Sequence, residues 1–296
     1  MTMLADGGLE TRIIYEFGRA LPDFEAWTLL ADGAGRAMLR EIYTSYLAIA
    51  QKHGLAIQIG TPTWRASARW MGAGGDVAFT NASAVTLLRG FIDESGADAV
   101  LAGVMGPATD GYDPADALGE EEAYTYHGEQ ARALAGARVD LLYAPTFPSF
   151  RELCGAARAM AETGVPYALA PMLHPDGTMI DGTPLDEAIV RIDARVAPAP
   201  DHYMIGCLYP THAQTALEAA RSRNPAAVAR VRGLKANASA LSPEQLDHLS
   251  HVDAARPAQF ARDLIACADA FGLGVLGGCC GTDAHDIEAV AALVSK

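Results

Sequence analysis

The stretch Gly274-Val275-Leu276-Gly277-Gly278-Cys279-Cys280-Gly281-Thr282 joins a short apolar run to a helix-like segment, Asp283 to Val294. An apolar run bounded by turn residues is typical of a buried strand. Glycines on both sides of the two cysteines let the backbone turn sharply and leave the sulfur atoms accessible. The stretch therefore predicts a strand whose carboxyl end carries two adjacent thiols.

Similar apolar runs recur along the chain, and longer segments separate them. Most runs are continuously apolar, as expected of strands that are covered on both faces. The predicted strands are Met3 to Ala5, Leu55 to Ile59, Ala99 to Val104, Asp140 to Ala144, Pro166 to Ala170, His202 to Leu208, Val231 to Ala236 and Gly274 to Leu276. This alternation predicts an α/β fold, a (β/α)8 TIM barrel forming a single domain over residues 1–296, with a doubly wound open sheet as the alternative.

The segments between the runs carry helical signals. Apolar residues repeat at helical spacing from Leu39 to Ala50, and three glutamates open the segment Glu120 to Leu134, where they suit the positive end of a helix dipole. Phe260 to Phe271 has a similar apolar side. Asn81 to Ile92 is predicted to be a helix with Asn81 as its N-cap.

Composition narrows the class of protein. The net charge is −14, from 22 basic and 36 acidic residues, which argues against binding to nucleic acid or to anionic membranes. No apolar run reaches the roughly 18 residues of a membrane span, and the start of the chain lacks a secretory signal pattern. Five cysteines, an odd number, do not resemble a disulfide framework. We therefore expect a cytoplasmic protein with reduced thiols.

Three cysteines fall at the carboxyl ends of predicted strands, where barrels carry their functional groups. Cys207 ends the sixth strand, and Cys279 and Cys280 follow the eighth, whereas Cys154 and Cys267 lie in predicted helices as small buried side chains. Three sulfur ligands with one open position suit a catalytic Zn²⁺ site. Such a metal removes the proton of an incoming thiol, whose free pKa is about 8.5.

Other interpretations of the thiols remain open at this level. They include buried structural cysteines, a redox dithiol, and a closed structural zinc site completed by His212 or His285. Lys235, on the seventh strand, is also typical of a Schiff-base lysine, which would indicate an aldolase. No glycine-rich phosphate loop follows the seventh or eighth strand, which lowers that alternative.

Polar and aromatic residues on the same rim are candidates for contacts with substrate. Asp6 either grips a substrate ammonium or caps the turn after it. Thr61, Thr63 and Trp64 follow the second strand, and the Trp64 ring could attract a cationic donor. Asn237, at the end of the seventh strand, could donate a hydrogen bond to substrate.

Two segments carry a family resemblance, Asp6-Gly7-Gly8-Leu9-Glu10-Thr11 and Gly278-Cys279-Cys280-Gly281-Thr282. With Cys207, Pro210 and His212 between them, they resemble the homocysteine S-methyltransferase family. The resemblance implies a (β/α)8 barrel and Zn²⁺ held by Cys207, Cys279 and Cys280. It also implies a thiol acceptor as the displaceable fourth ligand. The substrate contacts predicted on these grounds are Asp6, Gly7, Gly8, Thr61, Thr63, Trp64 and Asn237.

The sequence departs from the family pattern at the pocket for the amino acid. The family's fourth strand usually ends in a glutamate that holds the amino group of homocysteine, and Pro145 stands there in this chain. The family's asparagine before the sixth-strand cysteine is Gly206 here. Its Pro-Asn-Ser-Gly segment reads Lys235-Ala236-Asn237-Ala238-Ser239. An acceptor other than homocysteine is therefore an open alternative.

The sequence thus predicts a zinc-dependent S-methyltransferase that acts through Cys207, Cys279 and Cys280. It would move a methyl group from a small onium donor, such as S-methylmethionine, S-adenosylmethionine or a betaine, to a thiol. Homocysteine is the expected acceptor, with methionine as product. A family member with another acceptor and a zinc- or thiol-binding barrel without turnover are the alternatives. The expected partners are these small molecules, with no nucleic acid and no membrane.

Overall fold

A computed structural model describes residues 2–241 and 253–295. Parallel strands form one closed barrel in the order β1 to β8, each paired with the next in sequence and β8 paired with β1. The strands are β1 Met3–Ala5, β2 Ile57–Gly60, β3 Ala99–Val104, β4 Leu141–Phe147, β5 Tyr167–Pro171, β6 His202–Gly206, β7 Val231–Ala236 and β8 Val275–Gly278. The predicted (β/α)8 barrel is confirmed.

The interior of the barrel is filled mainly by small apolar side chains. This buried cluster consists of Ala5, Ala102, Leu141, Tyr143, Ala168, Ala170, Met204 and Val275. Residues of alternate strands contribute to such layers because strand side chains alternate between the two faces of the sheet. The small side chains, together with Gly206, leave space at the carboxyl end of the barrel.

Helices surround the barrel and bury one apolar stripe each against it. The longer helices are Gly33–His53, Val77–Ser95, Glu120–Gly136, Phe150–Ala161, Leu185–Arg195, Pro210–Arg223, Pro257–Phe271 and Ala284–Val294. Shorter helical segments are Arg12–Glu16, Pro22–Phe24, Ala26–Ala31, Ala68–Met71 and Pro225–Val228. Within the described ranges, no helix is long and apolar enough to cross a membrane.

The predicted start of the second long helix was wrong. Asp76 is its N-cap, and its carboxylate accepts the N–H of Phe79 at 2.8 Å. Asn81 lies inside the helix instead, where its amide donates to the carbonyls of Ala66 and Val77. The amide of Gln130 donates to the Asn81 side chain at 3.2 Å. Asn81 is thus a buried hydrogen-bonding residue, which sequence alone does not distinguish from a cap.

The strands β4 and β8 extend further than predicted, whereas β6 ends at Gly206 and not at Leu208, so that Cys207 directly follows the strand. β4 runs to Phe147, and its register against β5 shifts between Pro145 and Phe147. Thr146 lies at this shift with a φ of 64°, a backbone conformation that is uncommon outside glycine. β8 continues through Gly278. These extensions place Thr146 and Cys279 directly at the barrel mouth.

Candidate active site

A cavity of about 200 Å³ opens at the carboxyl ends of the strands. It enters the barrel in the space left by the small interior side chains. Every strand end except that of β5 contributes to its wall. The lining residues are Asp6, Gly7, Gly8, Leu9, Glu10, Thr11, Phe24, Tyr43, Gly60, Thr61, Trp64, Val104, Tyr112, Tyr143, Pro145, Thr146, Gly206, Cys207, Lys235, Gly278, Cys279 and Cys280.

The three rim cysteines converge on one point of this cavity. The sulfur atoms of Cys207, Cys279 and Cys280 all lie within 4.8 Å of one another. Neither His212 nor His285 joins this group in the part of the chain that the structure describes. Cys154 and Cys267 are buried in helices, as predicted. The thiols therefore form an open, three-sulfur cluster and not a closed site of four ligands.

The loop that carries Cys279 and Cys280 is fixed by the end of β7 and the segment that follows it. The Cys279 N–H donates to the carbonyl of Ala236 at 2.7 Å, and the carbonyl of Cys280 accepts the N–H of Ala238 at 3.0 Å. The first loop of the chain packs against the same turn. A Cβ on Gly8 would lie 2.7 Å from the carbonyl oxygen of Cys279, so this contact requires glycine.

Cys207 is held in an unusual backbone conformation. Its φ is 56°, and non-glycine residues with such values concentrate at functional sites, where the surrounding structure must hold them. Its N–H donates to the carbonyl of Lys235 at 3.1 Å. The side-chain amide of Asn237 donates to the carbonyl of Cys207 at 3.0 Å. These contacts fix the backbone of Cys207 so that its sulfur lies beside those of Cys279 and Cys280, which follow β8.

The thiols of Cys207 and Cys279 differ in pKa, and therefore in how readily they lose a proton. The pKa of Cys279 lies well below its ordinary value because Cys207 and Cys280 hydrogen-bond to its sulfur and the Lys235 ammonium is near. The pKa of Cys207 is raised, first because its hydrogen bonds to Cys279 and Cys280 retain its proton and second because it is buried. One thiolate is therefore favoured in the metal-free cluster, and a cation would be needed to stabilise more.

Asp6 and Lys235 form an ion pair at the cavity wall, with the ammonium donating to one carboxylate oxygen. The other oxygen of Asp6 accepts the N–H of Gly60 at 2.7 Å. Burial favours the neutral form of Lys235, but the Asp6 carboxylate outweighs it, so the pKa of Lys235 is raised. A Schiff-base lysine needs a lowered pKa, which weakens the aldolase alternative.

The predicted contacts after β2 have different surroundings. Thr61 and Trp64 line the cavity, whereas Thr63 is buried and its hydroxyl donates to the carbonyl of Val104 at 2.7 Å. The Trp64 indole N–H donates to the hydroxyl of Thr146 at 2.9 Å, and the Arg65 guanidinium lies 3.9 Å from the ring centre. Gly7 and Gly8 line the cavity, while Asn237 lies behind Cys207.

Several lining residues were not predicted from the sequence. Tyr112 and Phe24 reach the cavity from the loops after β3 and β1, and Tyr143 reaches it from inside the barrel. Glu10 also lines the cavity, and burial raises its pKa to about 7. The alternation of β4 was the only available signal, since it places Tyr143 on the inner face.

Residues 3–294 match the family model described as homocysteine S-methyltransferase. The chain belongs to the homocysteine S-methyltransferase family. The match covers nearly the whole described chain and includes every residue of the three-sulfur cluster. The family resemblance inferred from the sequence motifs is therefore confirmed.

Solved structures agree on the fold. The oxidized form of the homocysteine methyltransferase MmuM from Escherichia coli aligns with a TM-score of 0.79 at 22% identity, covering 99% of this chain and 96% of that chain. Its metallated form aligns with a TM-score of 0.78 at 22% identity and the same coverage. A search of curated protein sequences finds no match. MmuM and the present chain thus share the barrel fold although their sequences are only 22% identical.

Proposed function

We propose that this protein is a zinc-dependent S-methyltransferase that moves a methyl group from a small onium donor to a thiol. The observation that carries the proposal is the convergence of Cys207, Cys279 and Cys280 in the wall of an otherwise mostly apolar cavity. Family membership supports methyl transfer in general, with homocysteine as the reference acceptor and methionine as its product. The free thiols support a reducing, cytoplasmic setting.

The cluster suits zinc by the chemistry of its ligands. Thiolates are preferred ligands of Zn²⁺, and Zn–S bonds of about 2.3 Å in a tetrahedral site separate the sulfur atoms by about 3.8 Å. The sulfurs of Cys207 and Cys279 lie 2.7 Å apart and all three lie within 4.8 Å of one another, so a tetrahedral ion would require the first pair to move apart. The related homocysteine methyltransferase MmuM from Escherichia coli is described in a metallated form, which agrees with this assignment. A bound zinc ion would lower the pKa of an acceptor thiol so that it reacts as a thiolate.

The residues of the chain supply binding and orientation. Trp64, Tyr112 and Tyr143 present aromatic rings to the cavity, and such rings attract onium cations. The acceptor sulfur attacks the donor's methyl carbon, so that a sulfur–carbon bond forms while the bond to the onium atom breaks. The electron pair of the broken bond leaves with the donor as a neutral thioether or amine. Holding the two reactants in line accounts for much of the rate.

Metal analysis and a matrix of donors and acceptors test the proposal. Protein purified without chelator should hold about one zinc ion per chain and methylate at least one thiol. Cys280→Ser should lose both properties, whereas Cys267→Ala, which alters a buried cysteine in a helix, should keep them. Wild-type protein that holds no metal overturns the zinc assignment. Zinc binding without methylation of any thiol would identify a binding protein and contradict the enzyme.

A further inference from the structure

The charged groups of the cavity are arranged unusually for an amino-acid substrate. Both oxygens of Asp6 already accept a hydrogen bond, one from the Lys235 ammonium and the other from the Gly60 N–H. Both partners of this ion pair are largely buried, with 14% of the Lys235 side chain and 7% of the Asp6 side chain exposed. A substrate ammonium at Asp6 would therefore compete with Lys235 for the same carboxylate.

Lys235 itself supplies a fixed positive charge to the cavity. It is the only lysine or arginine in the described lining. An ammonium has three N–H donors, and the only side-chain acceptor recorded for Lys235 in the described residues is Asp6. The remaining donors can therefore bind an anionic group of a ligand. A ligand ammonium, in contrast, would lie beside a like charge, which is unfavourable in a site shielded from water.

The remaining wall offers a single carboxyl group to an ammonium. Pro145 on β4 carries no charge, and Glu10 is the only other carboxyl group among the described lining residues. Aromatic rings attract cations but do not form an ion pair, so an acceptor with an α-ammonium would depend on Glu10 for its ion pair. Substitution of that residue separates the two modes of binding.

Building on the proposed function, we infer that the preferred acceptor is a short thiol that carries a carboxylate and no ammonium. Lys235 binds the carboxylate and takes the place that a substrate ammonium would occupy against Asp6. The sulfur of this mercaptocarboxylate receives the methyl group, and the product is a thioether carboxylate. Lys235 is thus a residue that determines acceptor specificity.

The test compares ligands that differ only in their charged groups. Binding of homocysteine, γ-mercaptobutanoate (its counterpart without the amino group) and the neutral γ-mercaptobutanamide to zinc-loaded protein is measured by calorimetry without donor. We expect γ-mercaptobutanoate to bind at least about tenfold more tightly than homocysteine, which corresponds to about 1.4 kcal/mol, with the neutral amide between them. The ratio of kcat/KM values in methyl transfer should follow the same order.

Two variants identify the responsible groups. Lys235→Met keeps the length of the side chain, removes its charge and frees Asp6, so it should shift the preference towards homocysteine. A merely structural role of Lys235 would weaken all three ligands equally and leave their ratio unchanged. Glu10→Gln should keep the order of the three ligands, with homocysteine weakened further because it loses the remaining carboxyl group of the wall.

The outcomes separate this inference from the proposed function. Tighter binding of homocysteine than of γ-mercaptobutanoate to wild-type protein overturns the inference and leaves the methyltransferase intact. Loss of that homocysteine binding in Glu10→Gln would then assign the ammonium site to Glu10. Failure of every thiol to bind in a zinc-dependent manner overturns both. The comparison of ligands on wild-type protein stands even where Lys235→Met fails to fold.

Discussion

The side-chain amide of Asn237 donates a hydrogen bond to the backbone carbonyl of Cys207, at 3.0 Å, where the cysteine adopts a φ of 56°. The donor lies at the end of β7, and the acceptor lies at the end of β6. Asn237 therefore holds the backbone of Cys207, a candidate metal ligand, through a hydrogen bond. Its predicted hydrogen bond to substrate stays a prediction, but its contact with Cys207 gives it a role in positioning.

Substitution of Asn237 by Asp should weaken zinc binding. The variant has the same shape but presents an acceptor to the Cys207 carbonyl, so the hydrogen bond is lost and two oxygens oppose each other. Loss of an outer contact of this kind typically lowers metal affinity by about 10–100-fold. Competition with a chromophoric chelator measures the change. Asn224→Asp is the matched control, since Asn224 caps a short helix and aspartate caps equally well; equal affinities in both variants would contradict this role.

Tyr112 should contribute to donor binding through its ring and not through its hydroxyl. Tyr112→Leu removes the aromatic face that lines the cavity, and we expect the KM for an onium donor to rise by about tenfold, in the range of a partly exposed cation–π contact. Tyr112→Phe should retain the wild-type value. Tyr15→Leu, at another exposed tyrosine, serves as the control for unspecific effects. A rise in the acceptor KM alone would place Tyr112 on the other substrate.

Stability should depend on pH through Glu10. Burial raises the pKa of this carboxyl from 4.5 to about 7, so the folded protein binds its proton more tightly than the unfolded chain does. Its contribution to stability is therefore fully present below pH 4.5 and is lost as the pH rises towards 7. In metal-free protein, Glu10→Gln should raise the free energy of unfolding by roughly 1–3 kcal/mol at pH 8, relative to wild type, with little change at pH 4. Urea denaturation at both pH values measures it, and a pH-independent difference would contradict the raised pKa.

The loop after β1 contacts the loop after β8 at Gly8. A glycine-to-alanine substitution should therefore destabilise the protein at Gly8 but not at Gly90. In Gly8→Ala, the new Cβ would lie 2.6 Å from the Thr11 hydroxyl and 2.7 Å from the Cys279 carbonyl, so Cys279 must move. We expect a loss of about 1–3 kcal/mol, as for other overpacked sites, together with weaker zinc binding. In Gly90→Ala, no atom lies within 4 Å of the new Cβ, and the helix should gain about 0.5–1 kcal/mol. Thermal unfolding with and without zinc distinguishes the two, and equal effects would exclude the crowded contact.

The barrel and the thiol cluster were predictable because their signals are local. Continuous apolar runs define buried strands, and the rule that functional groups lie at the carboxyl ends of strands brings Cys207 to the pair on β8. The same rule placed Asp6 and Lys235 on one rim. It gave no information about their ion pair, since that depends on how far each side chain extends into the cavity.

The positions of Tyr112 and Phe24 in the site were also not predictable, because they depend on tertiary contacts. Tyr112 and Phe24 lie in long loops whose paths are set by tertiary contacts and not by periodicity. The loop that carries Tyr112 is held by Glu152, which accepts the N–H groups of Ala108 and Leu118 and contacts His127. Glu152 is wholly buried in the first turn of a helix, where the sequence pattern would place a solvated charge. Only the folded structure shows that it anchors a loop of the active site.

The pairing of β1 with β8 places the seam of the barrel directly beneath the thiols. Met3 pairs with Val275 and Leu4 with Leu276, and the loops that follow these strands carry Asp6 on one side and Cys279 on the other. Separation of the two strands would therefore divide the site between two edges. A zinc ion held by Cys207, Cys279 and Cys280 would join the ends of β6 and β8, which both lie on one side of this seam. Opening of the seam would therefore carry Asp6 away from the metal without removing any of its three sulfur ligands.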